Sequence, residues 1–157
     1  MRRALPTLVL AVCLAGHPAS VPAAPDQPAA SPAGSPSTPH HSSDALKKEL
    51  SAVIDAQLAA FRANDYPKAY TFAAAEIKGM FPVEDFEKMV RTNYAVIARS
   101  TSTEYGVAFD TGEEAVVNVR IQNAEKKSVE YQYLLKKEDA GWKISGVAEV
   151  KSEGLSV

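Results

Sequence analysis

The residues able to do chemistry are few, and their types set narrow limits. General acid–base catalysis needs a titratable group beside the reacting proton and a donor for the charge that develops. The carboxylates with a chance of lying near a pocket mouth are Asp65, Glu76 and Asp85. Asp65 also reads as a turn residue, and Asp85 as an acid placed in the first turn of a helix. Neither needs a catalytic role. Tyr70, Tyr94, Tyr105, Tyr131 and Tyr133 form a second set, suited to binding a small amphipathic ligand. The competing reading makes them large core residues whose hydroxyls reach a rim or a backbone partner, and the sequence favours it. His40 and His41 are adjacent, with no Cys, Asp or Glu cluster around them, so a solvated segment is favoured over a metal site. Cys13 is the lone cysteine.

Other chemistries lack their sequence signatures. There is no phosphate-binding Gly-rich loop, no metal-ligand cluster and no G-x-S-x-G elbow. The chain carries 17 Lys and Arg against 19 Asp and Glu. Arg2, Arg3 and Asp26 lie before residue 44, so the remainder is net acidic. Nucleic-acid binding, which wants a basic stripe, is disfavoured. No catalytic residue, metal or cofactor is assigned.

The elements that would position these residues begin after a strongly segregated N-terminus. Met1-Arg2-Arg3 is basic, Leu5 to Ala15 is apolar apart from Pro6 and Thr7, and small residues follow through Ala24. This order reads as a secretory signal over residues 1–23, with Val21 and Ala23 at the specificity positions of cleavage. A span of the membrane needs about 20 apolar residues, more than this run provides. A lipid anchor at Cys13 would want a small residue where Val12 stands. Cys13 therefore leaves with the signal, and a periplasmic or secreted product is expected. Residues 24–43 are almost all Pro, Ala, Ser and Gly, which reads as a flexible tether without enough apolar surface to fold.

One domain is expected over residues 44–157. Ser43 is a good N-cap, and Leu46, Leu50, Val53, Ile54, Leu58 and Phe61 make a helical stripe that Asn64-Asp65 ends. Pro67 opens a short second helix through Phe72. A third begins at Pro82 and buries Phe86, Met89, Val90 and Tyr94. After Arg99 the period becomes two. Thr101, Thr103, Tyr105, Val107 and Phe109 are read as inward-facing on the first strand, and Ala115, Val117, Val119 and Ile121 on the second. Val129, Tyr131, Tyr133 and Leu135 continue the third, and Trp142, Ile144, Ala148 and Val150 the fourth, with a bulge or bend at Gly146. Turns fall at Asp110–Gly112, Asn123–Lys127 and Glu138–Gly141. Closing the second hairpin sets Ile121 opposite Val129, Val119 opposite Tyr131, and Val117 opposite Tyr133. It also sets Arg120 opposite Glu130 and Val116 opposite Leu134. The expected fold is α+β: three N-terminal helices packed on a curved four-stranded antiparallel meander.

The segments Ala60–Asp65, Ala69-Tyr70, Ile77, Met80-Phe81, Phe86, Met89-Val90 and Tyr94, with the closing Trp142–Val147, carry a family resemblance. The chain from Leu46 to Val150 resembles the secreted bacterial domain-of-unknown-function 4864 family, within the nuclear-transport-factor-2-like superfamily of cystatin-like folds. It departs from that pattern at Ala95-Val96-Ile97, where a proline-rich turn is expected. The resemblance implies a cone of helices over a sheet, and export, but no activity. Enzymes of that superfamily place an Asp, often with a His or Tyr, inside the cone. Here the domain has no histidine, and no carboxylate is read on an inward strand position.

Three functions follow as expectations. The first is a non-catalytic domain binding a small ligand or partner in its pocket. The second is a dehydratase- or isomerase-like enzyme using Asp65, Glu76 or Asp85 with tyrosine hydroxyls. The third is a structural accessory that self-associates through the outer sheet face. For the last, Ala108, Val116, Leu134 and Val147 are read as pointing outward, with a homodimer formed through Val116, Leu134 and Val147.

Overall fold

The computed structural model describes residues 38–151, and the expected signal and most of the expected tether lie outside them. Helix α1 runs Asp44–Arg62, α2 Tyr66–Thr71, α3 Ala75–Met80, α4 Val83–Asn93 and α5 Ala95–Ala98. Strands β1 (His40–His41), β2 (Ser100–Asp110), β3 (Glu114–Asn123), β4 (Ser128–Glu138) and β5 (Gly141–Glu149) form one antiparallel sheet in that order. The architecture is α+β, with five strands among the described residues where four were expected and five helices where three were.

Local chemistry explains the long helices. The Ser43 side chain accepts from the Leu46 N–H at 3.2 Å, and Leu50, Ile54, Leu58 and Phe61 are buried along one stripe. Asn64 adopts φ 55°, a left-handed conformation that asparagine tolerates, and stops α1. Asp65 then caps α2 by accepting from the Lys68 N–H at 3.0 Å, with Pro67 in the first turn. α3 and α5 have no side-chain cap, and α5 is four residues long. It turns the chain from α4 into the sheet while burying Val96 and Ile97, in place of the proline-rich turn.

The β3–β4 register is the expected one at each of the five pairs named above. The flanking strands depart from simple alternation. β2 carries an extra residue between Tyr105 and Ala108, since Tyr105 pairs with Val119 and Ala108 with Val117. A bulge inverts the parity beyond it. Ala108 is therefore buried, while Val107 and Phe109 are 48% and 38% exposed, the reverse of the sequence expectation. Gly106 suits this place, because a Cβ there would stand 3.3 Å from the Asn118 carbonyl oxygen. β5 has its own irregularity: Leu135 pairs with Ile144 but Leu134 with Gly146. The extra residue is Ser145. Val147 thus pairs with inward-facing Tyr133, and Ala148 and Val150 do not point into the core. The outward positions expected for Ala108 and Val147 are both corrected by these bulges.

β1 is the second departure. The tether's last residues pair with β2, with His41 opposite Phe109 and its ring 4.4 Å from the Phe109 ring. His40 Nε2 lies 3.5 Å from Asp110 Oδ1. These histidines are exposed to solvent, as expected, but they form a sheet edge where an unpaired linker was expected. Asp110 is buried, and its Oδ1 also accepts from the Gly112 N–H in the β2–β3 turn. No helix among the described residues is long and apolar enough to cross a membrane.

Candidate functional site

The helices cover the inner sheet face unevenly, and the gap between them is a cavity of about 250 Å³. α1 contributes Gln57 and Phe61, and α4 contributes Phe86, Met89 and Val90. Ile77 of α3, Phe81 and Ile97 of α5 complete the helical side; Tyr133, Ile144 and Val147 supply the sheet side. Phe61, Val90, Ile97 and Tyr133 are buried and make the floor, whereas Ile77, Met89, Tyr94 and Val147 are half-buried and make the rim. Among the described residues lining this space, none is charged.

Three of the lining side chains are polar. Gln57 is buried, and its Nε2 donates to the Ala69 carbonyl at 3.2 Å, tying α1 to α2. The Tyr94 hydroxyl donates to the Val147 carbonyl at 3.1 Å and so fixes the end of α4 on β5. The Tyr133 hydroxyl is fully buried and has no hydrogen-bond partner among the described residues. Burial pushes the Tyr133 phenol well above its ordinary range, with neighbouring Tyr131 and Tyr94 adding to the effect. It stays protonated, and is a donor rather than a base.

The five candidate tyrosines are therefore not one set. Tyr94 and Tyr133 line the cavity. Tyr70 packs on Phe86 with ring centroids 5.3 Å apart, and its hydroxyl is spent on the Phe81 and Lys78 carbonyls at 2.6 and 3.2 Å. Tyr105 reaches α1, donating to Asp55 Oδ1 at 2.7 Å and lying 3.2 Å from the Ser51 carbonyl oxygen. Burial, and then the Asp55 carboxylate, push its phenol far up. Tyr131 faces Glu149 across β4–β5, and burial with that charge raises it to about 12. Tyr105 and Tyr131 instead border a second, polar depression near the β2 bulge, alongside Glu104, Arg120 and Glu130. There Arg120 hydrogen-bonds Glu130 and lies 3.5 Å from Glu104.

The candidate carboxylates stand elsewhere. Asp65 is the α2 cap, Glu76 lies in the first turn of α3 and Asp85 in the first turn of α4; all three are exposed and none lines the cavity. Among the described residues no cluster of His, Cys, Asp or Glu could hold a metal ion. The expectation that no carboxylate faces inward from a strand fails at Asp110, buried by the same bulge that turns Ala108 in, and at Glu149, brought opposite Tyr131 by Ser145.

Sequence reasoning missed Gln57, Ile77, Phe81 and Val147 as wall residues. Gln57 carried a signal: it sits within the apolar stripe, three residues after Ile54 and four before Phe61, where a polar side chain is out of place.

Residues 43–157 match the family described as Domain of unknown function (DUF4864). The chain belongs to that family. The DUF4864 match spans every element that walls the cavity, from α1 to β5. Among curated proteins nothing matches the chain.

Proposed function

We propose that this DUF4864 domain is a non-catalytic binding module that takes up a small, largely apolar ligand between its helices and its sheet. The observation that carries the reading is the uncharged cavity of about 250 Å³, walled by aromatic and aliphatic side chains from α1, α3, α4, α5, β4 and β5. An engineered apolar cavity of about 150 Å³ holds benzene, so this one suits a molecule of roughly ten non-hydrogen atoms. A dehydratase- or isomerase-like reaction lacks support, because Asp65, Glu76 and Asp85 are outside the wall and the Tyr133 phenol is held protonated. The helices-over-meander order supports a nuclear-transport-factor-2-like cone. The basic, apolar and small-residue order of the first residues supports export to the periplasm or beyond.

Titration of the chain with α-methylstyrene, followed by backbone amide NMR shifts, tests this reading. Saturable shifts at Phe61, Val90, Ile97 and Val147 are expected. Shifts that never saturate, or that map outside the cavity, overturn it.

A second reading concerns the other sheet face. Phe109, Val116 and Leu134 are successive cross-strand neighbours there, with the His41 ring packed at a tilt against Phe109. This apolar stripe supports self-association through a second copy. Arg120, Glu104 and Glu130, a mixed-charge cluster on the same face, suit the rim of a two-fold contact.

A further inference from the structure

We infer that the cavity selects an uncharged ligand carrying a hydrogen-bond acceptor, a ketone, ester or ether oxygen, and that Tyr133 is the residue that reads it. The inference rests on the binding function proposed above and names the ligand's chemistry.

The polar inventory of the wall decides the class. Gln57 Nε2 is engaged by Ala69, and the Tyr94 hydroxyl by Val147. Of the three polar side chains, Tyr133 alone has a buried hydroxyl with no partner among the described residues. A buried donor left unpaired costs about 1–3 kcal/mol, so an occupant that accepts from it is favoured over one that cannot. A ligand donor would meet the oxygen of Tyr133 but leave its proton unpaired, and so satisfies the site less well. Charge is excluded in both signs. Among the described residues, no Lys, Arg or His lines the cavity to pair with an anion, and no Asp or Glu to pair with a cation. Burying an unpaired ion there costs several kcal/mol. The phenol cannot accommodate a base by ionising either, since burial favours its neutral form. What remains is a compact apolar skeleton with one neutral acceptor.

Three probes of equal size separate the possibilities: α-methylstyrene, acetophenone and benzoate share one skeleton and differ in a methylene, a carbonyl oxygen or a carboxylate. Dissociation constants are measured by NMR titration on the chain, on Tyr133→Phe and on Tyr94→Phe. Acetophenone is expected to bind roughly five- to tenfold tighter than α-methylstyrene, the size of one neutral hydrogen bond, and benzoate weaker than both. Tyr133→Phe is expected to erase the acetophenone advantage, bringing the acetophenone and α-methylstyrene dissociation constants together. Tyr94→Phe, whose hydroxyl is already spent, should preserve the advantage. Should acetophenone and α-methylstyrene bind alike in the unmodified chain, or Tyr133→Phe leave the gap intact, the inference is overturned while the binding function stands. The first of those results means that the hydroxyl is satisfied by a buried water only. Benzoate binding tightest also overturns it. Failure of all three probes to bind the unmodified chain removes the binding function itself.

Discussion

Val147 and Tyr133 face each other across β5 and β4, and both belong to the cavity wall. The pairing exists because Ser145 is extra in β5; without it, Gly146 would stand opposite Tyr133 and Val147 would turn to the outer face, so the wall would lack a branched residue at the rim. Enlarging Val147 should fill the cavity from its mouth inward. Val147→Phe is expected to weaken α-methylstyrene binding at least tenfold while leaving the thermal midpoint equal or higher, because the added ring occupies empty apolar space. A large drop in midpoint with binding retained would show that the space near Val147 is already packed.

The floor should behave as core. Phe86 is 5% exposed, stacks with Phe61 and packs at a tilt against Tyr70, at centroid distances of 6.1 and 5.3 Å. Phe86→Ala is expected to cost about 3–5 kcal/mol in urea unfolding, the usual range for truncating a buried phenylalanine. A cost below about 1 kcal/mol would mean that the cluster rearranges to close the gap.

Gly106 is where the sheet's parity is decided. Gly106→Val drives side-chain atoms against Asn118, whose carbonyl oxygen would lie only 3.3 Å from the new Cβ. It is expected to destabilise by about 1–3 kcal/mol through overpacking. Limited proteolysis near Val107 and chemical denaturation check it; an unchanged midpoint would show that the bulge can migrate along β2.

That glycine also marks where the sequence stopped being legible. The β3–β4 register could be read because apolar residues alternate on both strands and Arg120 meets Glu130, so a one-residue slip would invert every pair. β2 and β5 alternate just as plainly in sequence, but β2 carries an extra residue at two places, between Ser100 and Ser102 and between Tyr105 and Ala108, and β5 at one, and each reverses the alternation. Alternation alone does not say where a bulge falls. α3 and α5 span too few residues for a 3.6-residue period to show, and α3 contains Gly79. His40 and His41 lacked any pattern of their own; they are a strand because Phe109 and Asp110 offer an edge. Of the cavity, the tyrosine content was visible, but separating Tyr133 from Tyr70 and Tyr105 required knowing which hydroxyls the backbone and Asp55 already occupy.

The alkaline limb of stability follows from the buried phenols. An unfolded tyrosine ionises near pH 10, whereas burial and Glu149 hold Tyr131 protonated up to about 12. Below about pH 10 both states keep the proton and the contribution is complete. Between about 10 and 12 only the unfolded state ionises, so folding stability falls as pH rises. Tyr105 and Tyr133, pushed up by burial, act in the same direction. Urea midpoints should therefore decline through this window, with a shallower decline in Tyr131→Phe. Phenolate absorbance should lag behind that of the unfolded chain. Equal slopes for the two proteins would remove Tyr131 from the account.

Self-association through the outer face makes the last demand on the sheet. The bulge in β2 takes Ala108 out of the expected patch and puts Phe109 into it; the bulge in β5 takes Val147 away and leaves Gly146 beside Leu134. The resulting stripe crosses neighbouring strands without a break, from Phe109 to Val116 to Leu134, and Leu134 is 40% exposed. A two-fold contact would set this stripe against its own copy and bury Leu134 near the axis. Three side chains are small beside the roughly 800 Å² per partner of a stable interface, so the dimer should be weak. Sedimentation is expected to show reversible dimerisation only toward the upper end of micromolar concentration. Leu134→Lys places two ammonium groups at the axis and should leave a monomer throughout. Arg120→Ala, at the rim, should shift the equilibrium little, because exposed ion pairs contribute about 0–1 kcal/mol. A monomer at every concentration, or a dimer untouched by Leu134→Lys, would show that this stripe is ordinary solvent-facing surface.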